Sequence, residues 1–115
     1  MQESRHQHTV LIEEDLLFHR TIFQMADNRV CSLMFSMVHQ LLHNLIEVTS
    51  KMVDLDHTLK LHTRIYTAIR KRDPEEARSR MFAHLTDAKG LLRRSQETRT
   101  QANMGNRLSK LAVLK

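Results

Sequence analysis

With two glycines and one proline in 115 residues, this chain has almost no means of turning sharply. Sandwiches and barrels reverse direction about every ten residues and draw on glycine and proline to do so. A fold built from a few long helices needs only two or three reversals. Hydrophobic residues make up 41%, enough for one core, while aromatics are 4% and Trp is absent. Leu and seven Met carry much of that apolar content, and both are good helix formers. The expectation is one all-α domain, an antiparallel helical bundle.

Several function classes fall away on composition. No run approaches the roughly 18 apolar residues of a membrane span, and mean hydropathy is −0.44. Residues 1–8 lack an apolar stretch behind a charged one, so no secretory signal is expected there, and they read as a disordered start. The single Cys31 allows no internal disulfide and fits a reducing, cytoplasmic setting. Lys and Arg number 18 against 13 Asp and Glu, a net charge of +5. That excess would suit a basic helical nucleic-acid-binding module, whose binding falls steeply with salt. Its distribution argues otherwise: much of it gathers in Arg70-Lys71-Arg72 and beyond Arg93, where solvated surface is the simpler account.

Apolar periodicity predicts four helices. The first spans about Thr9–Ala26, with Ile12, His19, Phe23 and Ala26 on one stripe beside Leu16 and Ile22. Asp27-Asn28 interrupts it, with Asn28 as the left-handed cap. The second covers Arg29 to about Met52 and carries so wide an apolar band that a central place in the bundle is expected. His39 and His43 fall on its more polar face, and with His57 they read as surface residues. Asp54-Leu55-Asp56 offers cap residues for a third helix reaching about Arg72, whose stripe is Leu55, Leu59, His62, Tyr66 and Ile69. Asp73-Pro74-Glu75-Glu76 is a helix start by three separate signals: a cap, a proline at the first position, and acids at the positive end. The fourth helix therefore runs from Pro74 to about Thr98 along Ala77, Met81, His84, Ala88 and Leu91. Residues 99–115 read as a basic polar tail, so the helical domain proper is 9–98.

Polar residues belong on solvent faces unless something satisfies them. His19, His62 and His84 each lie in the middle of an apolar stripe, on three different helices, and Asp15 precedes His19 by one turn. Facing stripes in a bundle would bring these four groups together. A carboxylate and three imidazoles suit a divalent ion of borderline hardness, zinc first, with nickel, manganese or iron as alternatives. A single histidine on an apolar face is more often a hydrogen-bonded core residue, and an Asp four residues before a His is common by chance. The same four groups could also serve a metal-dependent helical enzyme with metal-bound water as nucleophile, but all four would already be spent as ligands and no spare general base stands out. The nucleophile elbow, the phosphate-binding loop, the dinucleotide fingerprint and C-x-x-C are all missing from the chain. An enzyme is therefore not expected.

Ordered motifs add to this. Asp15-Leu-Leu-Phe18-His19, Met25-Ala26-Asp27-Asn28, His62-Thr-Arg-Ile65-Tyr-Thr-Ala68-Ile69, Asp73-Pro-Glu-Glu-Ala77 and Met81-Phe-Ala-His84-Leu85 follow one another at compatible spacing. Together they resemble the FCD domain, the all-helical effector-binding domain of one branch of GntR-type bacterial transcription regulators. The resemblance covers about Glu14–Leu92. It implies that Asp15, His19, His62 and His84 are the ligands of a divalent metal that helps anchor a small carboxylate effector. It further implies a homodimeric, cytoplasmic regulator that meets operator DNA through an N-terminal winged helix-turn-helix, with no membrane partner. That DNA-binding segment and the first helices of the effector domain have no counterpart before Asp15, so the chain reads as a fragment of such a regulator.

Overall fold

The computed structural model describes residues 2–52 and 54–114, with side chains for Gln7 and from Thr9 onward. Four helices follow one another: α1 (Gln2–Met25), α2 (Arg29–Ser50), α3 (Leu55–Arg70) and α4 (Pro74–Val113). No strand occurs among the described residues, and the expected all-α class of antiparallel helices is observed. The chain divides into two compact units, Met1–Lys51 and Met52–Lys115, each a helical hairpin.

In the first unit α1 and α2 pack around Ile12, Leu16 and Phe35, with Phe23, Leu42 and Ile46 closing over them. The Phe23 and Phe35 rings lie 5.0 Å apart at a tilt of 40°, an ordinary aromatic contact near the turn of the hairpin. The reversal departs from expectation by one residue. Asp27, at φ 50°, takes the left-handed position. Asn28 is extended and caps α2 instead, its side chain accepting from the Cys31 N–H at 3.1 Å. A side-chain oxygen three residues before an orphan helix N–H is what an N-cap needs, and Asn28 stands at that spacing.

The apolar band of α2 is wider than α1 can cover. Phe35 is buried, yet Val30, Leu33, Met34, Met37 and Leu41 remain more than half exposed. Within the first unit this helix packs on α1 through one face only.

In the second unit, α3 starts at its Asp54 cap, which accepts from the His57 N–H at 2.8 Å. α4 starts at Pro74 behind Asp73, whose side chain accepts from the Glu76 N–H at 3.1 Å. Both starts were expected. The buried line of α3 was not. Ile65 and Ala68 are buried and Leu61 is half-buried, whereas Leu59 and Tyr66, assigned to the stripe, are half exposed. On α4 the expected stripe holds: Ala77, Met81, His84 and Ala88 are half-buried and Leu91 is buried.

Between α3 and α4 the Arg72 N–H bonds to the Ile69 carbonyl and the Asp73 N–H to the Ala68 carbonyl, each at 3.0 Å. This doubly bonded terminus needs a left-handed residue at its apex, a place glycine favours. Arg72 fills it at φ 56°. Its Cβ crowds the following carbonyl there, so Arg72→Gly should stabilise this unit by about 1 kcal/mol. A higher denaturation midpoint at unchanged slope checks this; an unchanged or lower midpoint contradicts it.

Two helices run past their expected bounds. α1 begins at Gln2, seven residues before Thr9, because nothing between them breaks a helix. The side chains of His6 and His8, read as part of a disordered start, lie outside the described residues. α4 continues from Thr98 to Val113, since Gly105 weakens a helix without stopping it. The polar tail is thus helical in conformation, and every residue from 96 to 114 is exposed. A helix with no packed face is held by its own hydrogen bonds alone. Amides 99–113 should therefore exchange much faster than those of 75–92; equal protection would contradict this account.

Candidate metal centre

Each unit holds one pair of facing donor atoms. In the first, Asp15 and His19 stand one turn apart on α1, so both side chains leave the helix on the same face. His19 Nε2 lies 3.3 Å from Asp15 Oδ1, and the two side chains are only 16% and 18% exposed. Phe18 sets its ring edge-on to the imidazole, with centroids 5.4 Å apart at 84°. An imidazole held between a carboxylate and an aromatic edge has little rotational freedom left.

In the second unit the donors come from different helices. His62 on α3 and His84 on α4 turn their Nε2 atoms toward each other at 3.3 Å. The rings are nearly perpendicular, 88°, with centroids 4.9 Å apart. Both residues are half-buried in the seam between the helices. The Asp73-Pro74 start makes this meeting possible: it folds α4 back on α3, and 22 residues separate the two histidines across that turn.

The distances fit metal ligation. Two donors bound to one tetrahedral zinc at about 2.1 Å each stand about 3.4 Å apart. The Asp15–His19 and His62–His84 pairs both meet that spacing. Two neutral imidazoles facing through Nε2 can also share one hydrogen bond, if one ring carries its proton on Nε2 and the other on Nδ1. A divalent ion would use both lone pairs instead. Sequence reasoning singled out all four residues, and the structure brings them together two by two.

The other histidines divide differently from expectation. His57 is exposed, as expected, and pairs with Asp87 of α4 through Nε2 and Oδ2 at 3.1 Å. His39 and His43 were assigned to the surface, but both are half-buried. His39 sets its ring edge-on to Phe35, with centroids 6.1 Å apart. His43 Nε2 lies 3.7 Å from Glu13 Oε1 across the hairpin. Their i, i+4 spacing on one helix was the available signal. Cys31 is half-buried and free.

Among the described residues no helix is long and apolar enough to cross a membrane. A family model, the FCD domain, matches residues 1–87. That stretch takes in all four candidate ligands. No curated protein and no solved structure matches the chain.

Proposed function

This chain belongs to the FCD domain family, and from that premise we propose that it is the metal- and effector-binding domain of a GntR-type transcription regulator. Asp15, His19, His62 and His84 are the proposed ligands, and zinc is the first candidate ion. The observation that carries this reading is the facing pair of Nε2 atoms, His62 to His84 at 3.3 Å, contributed by two helices of one unit. Asp15 and His19 supply a second pair with the same spacing from one rigid turn of α1.

When bound, the ion would supply a fixed positive charge on which a small carboxylate effector can anchor. The work of the chain is to hold its donors in place. Asp15 keeps the His19 imidazole oriented, and the packed seam of α3 and α4 keeps the His62 and His84 rings from swinging into water. Neutral imidazoles are required, so protons compete with the ion and affinity falls as pH is lowered. An effector alters DNA binding only if it favours one arrangement of the helices over another. DNA contact itself belongs to the winged helix-turn-helix of such a regulator, working as a homodimer on a palindromic operator in the cytoplasm.

The test is metal analysis of protein purified without a His-tag or nickel column, followed by a thermal-shift screen of small carboxylates. The expected result is a retained divalent ion and a carboxylate whose stabilising effect disappears when the ion is stripped. Protein that retains and rebinds no ion, or a carboxylate effect indifferent to stripping, would overturn the reading.

A further inference from the structure

Helix α2 carries two apolar seams. One packs on α1 through Phe35, Leu42 and Ile46. The other runs along Val30, Met34, Met37, Leu41 and Val48 on a different side of the helix, and all five are exposed, Met37 to 76%. Asn44 stands between Leu41 and Val48, so the steps along this seam alternate between four and three residues. That is the heptad spacing of a helix that packs lengthwise against another helix. Within the first unit α1 lies on the Phe35 side and leaves this seam uncovered.

Three observations say what fits it. The first is charge. From Val30 to Ile46 the helix has no Asp, Glu, Lys or Arg, in a chain of net charge +5. A surface that selects an acidic or basic partner carries the opposite charge, and this one carries none. Two copies of the chain repel through their net charge, and a neutral seam adds no close like-charge contact to that. The second is spacing. An identical helix presents knobs at the same repeat as the holes it meets, so the seam is complementary to itself. Unbranched Met34 and Met37 adapt their shape to such a fit. Asn44 supplies the single polar place that fixes register in paired helices; its Oδ1 accepts from Gln40 Nε2 at 3.2 Å. The third is area. The five apolar residues expose roughly 600 Å², and Leu33 and Val38 at the edges bring this near the ~800 Å² that each partner gives up in a standard interface.

We propose that this outer seam of α2 is the surface through which two copies of the chain pair about a two-fold axis. A two-fold interface uses one patch twice, which a self-complementary, uncharged seam allows. The proposal deepens the homodimeric reading above by naming the surface that pairs, and it uses none of the four proposed metal ligands. Pairing also accounts for an apolar band on α2 wider than α1 can cover.

The experiment is sedimentation equilibrium on tag-free, metal-stripped full chain, so that its outcome does not depend on the metal centre. Wild type should be a dimer. Met37→Glu and Met37→Lys each place like charges against each other across the two-fold and should weaken dimerisation about 100-fold or more. An equal mixture of the two should recover dimers, because opposite charges then meet. Both substitutions lie outside the Phe35 core, and helical circular dichroism confirms that each variant is folded. Val113→Glu/Leu114→Glu, at two exposed apolar positions of α4, should leave the dimer unchanged. A wild type that is monomeric at about 100 μM, or Met37 variants that dimerise as tightly as wild type, would overturn the proposal. A dimer broken by the α4 substitutions and indifferent to those at Met37 would overturn this surface while keeping the homodimer.

Discussion

Replacing His62 or His84 with alanine should remove most of the stabilisation that zinc gives to this protein. A ligand present at 100 times its dissociation constant stabilises the state it binds by about 2.7 kcal/mol. If losing one of four donors weakens the ion by a factor of about 100 or more, nearly all of that gain disappears at the same zinc concentration. With the ion stripped, either substitution should matter much less. The wild-type seam then holds two polar rings whose Nε2 atoms face each other at 3.3 Å. The measurement is the melting temperature of wild type and variant, each with and without zinc. A zinc-dependent rise that survives His62→Ala and His84→Ala would show that these rings are an ordinary hydrogen-bonded pair. His57→Ala is the control on the same hairpin, because His57 is exposed and its Nε2 pairs with Asp87 and not with His62 or His84.

Phe35→Ala should have the largest effect of any single apolar substitution in the first unit. Phe35 is 5% exposed and completes a core whose other fully buried members are Ile12 and Leu16. Truncating a buried phenylalanine costs about 3–5 kcal/mol, from lost transfer energy and the cavity left behind. Few other side chains are available to collapse into that cavity. Phe82 on α4 is 73% exposed, and Phe82→Ala should change stability by no more than about 0.5 kcal/mol. Denaturant unfolding of the two variants compares one residue type at two depths. Amide exchange across α1 and α2 shows whether the Phe35 loss falls where the core lies. A Phe35→Ala change as small as that of Phe82→Ala would remove the ring from the account of this hairpin.

What could be read from residues alone is what depends on near neighbours in the chain. The scarcity of glycine and proline implied helices. Asp73-Pro74 marked one helix start to the residue and Asp54-Leu55-Asp56 marked another to within a few, because a cap is decided within about four positions. Asp15, His19, His62 and His84 stood out as polar groups on apolar stripes, an anomaly visible without any fold. The helix ends at Gln2 and Val113 were less legible, since polar segments without a breaker leave helix and coil close in free energy.

Tertiary packing decided the rest. On α3 the apolar residues are numerous enough to define two overlapping stripes, and only the position of α4 buries Ile65 and Ala68 while leaving Leu59 and Tyr66 half exposed. The same holds for His39 and His43, which look polar on their own helix and become half-buried in the hairpin with α1. Nor could spacing show that His62 and His84 meet through Nε2 at 3.3 Å. Periodicity locates the faces of one helix, but contact between two faces depends on the rotation and depth at which the neighbouring helix packs. Those two quantities are properties of the pair, and no single segment encodes them.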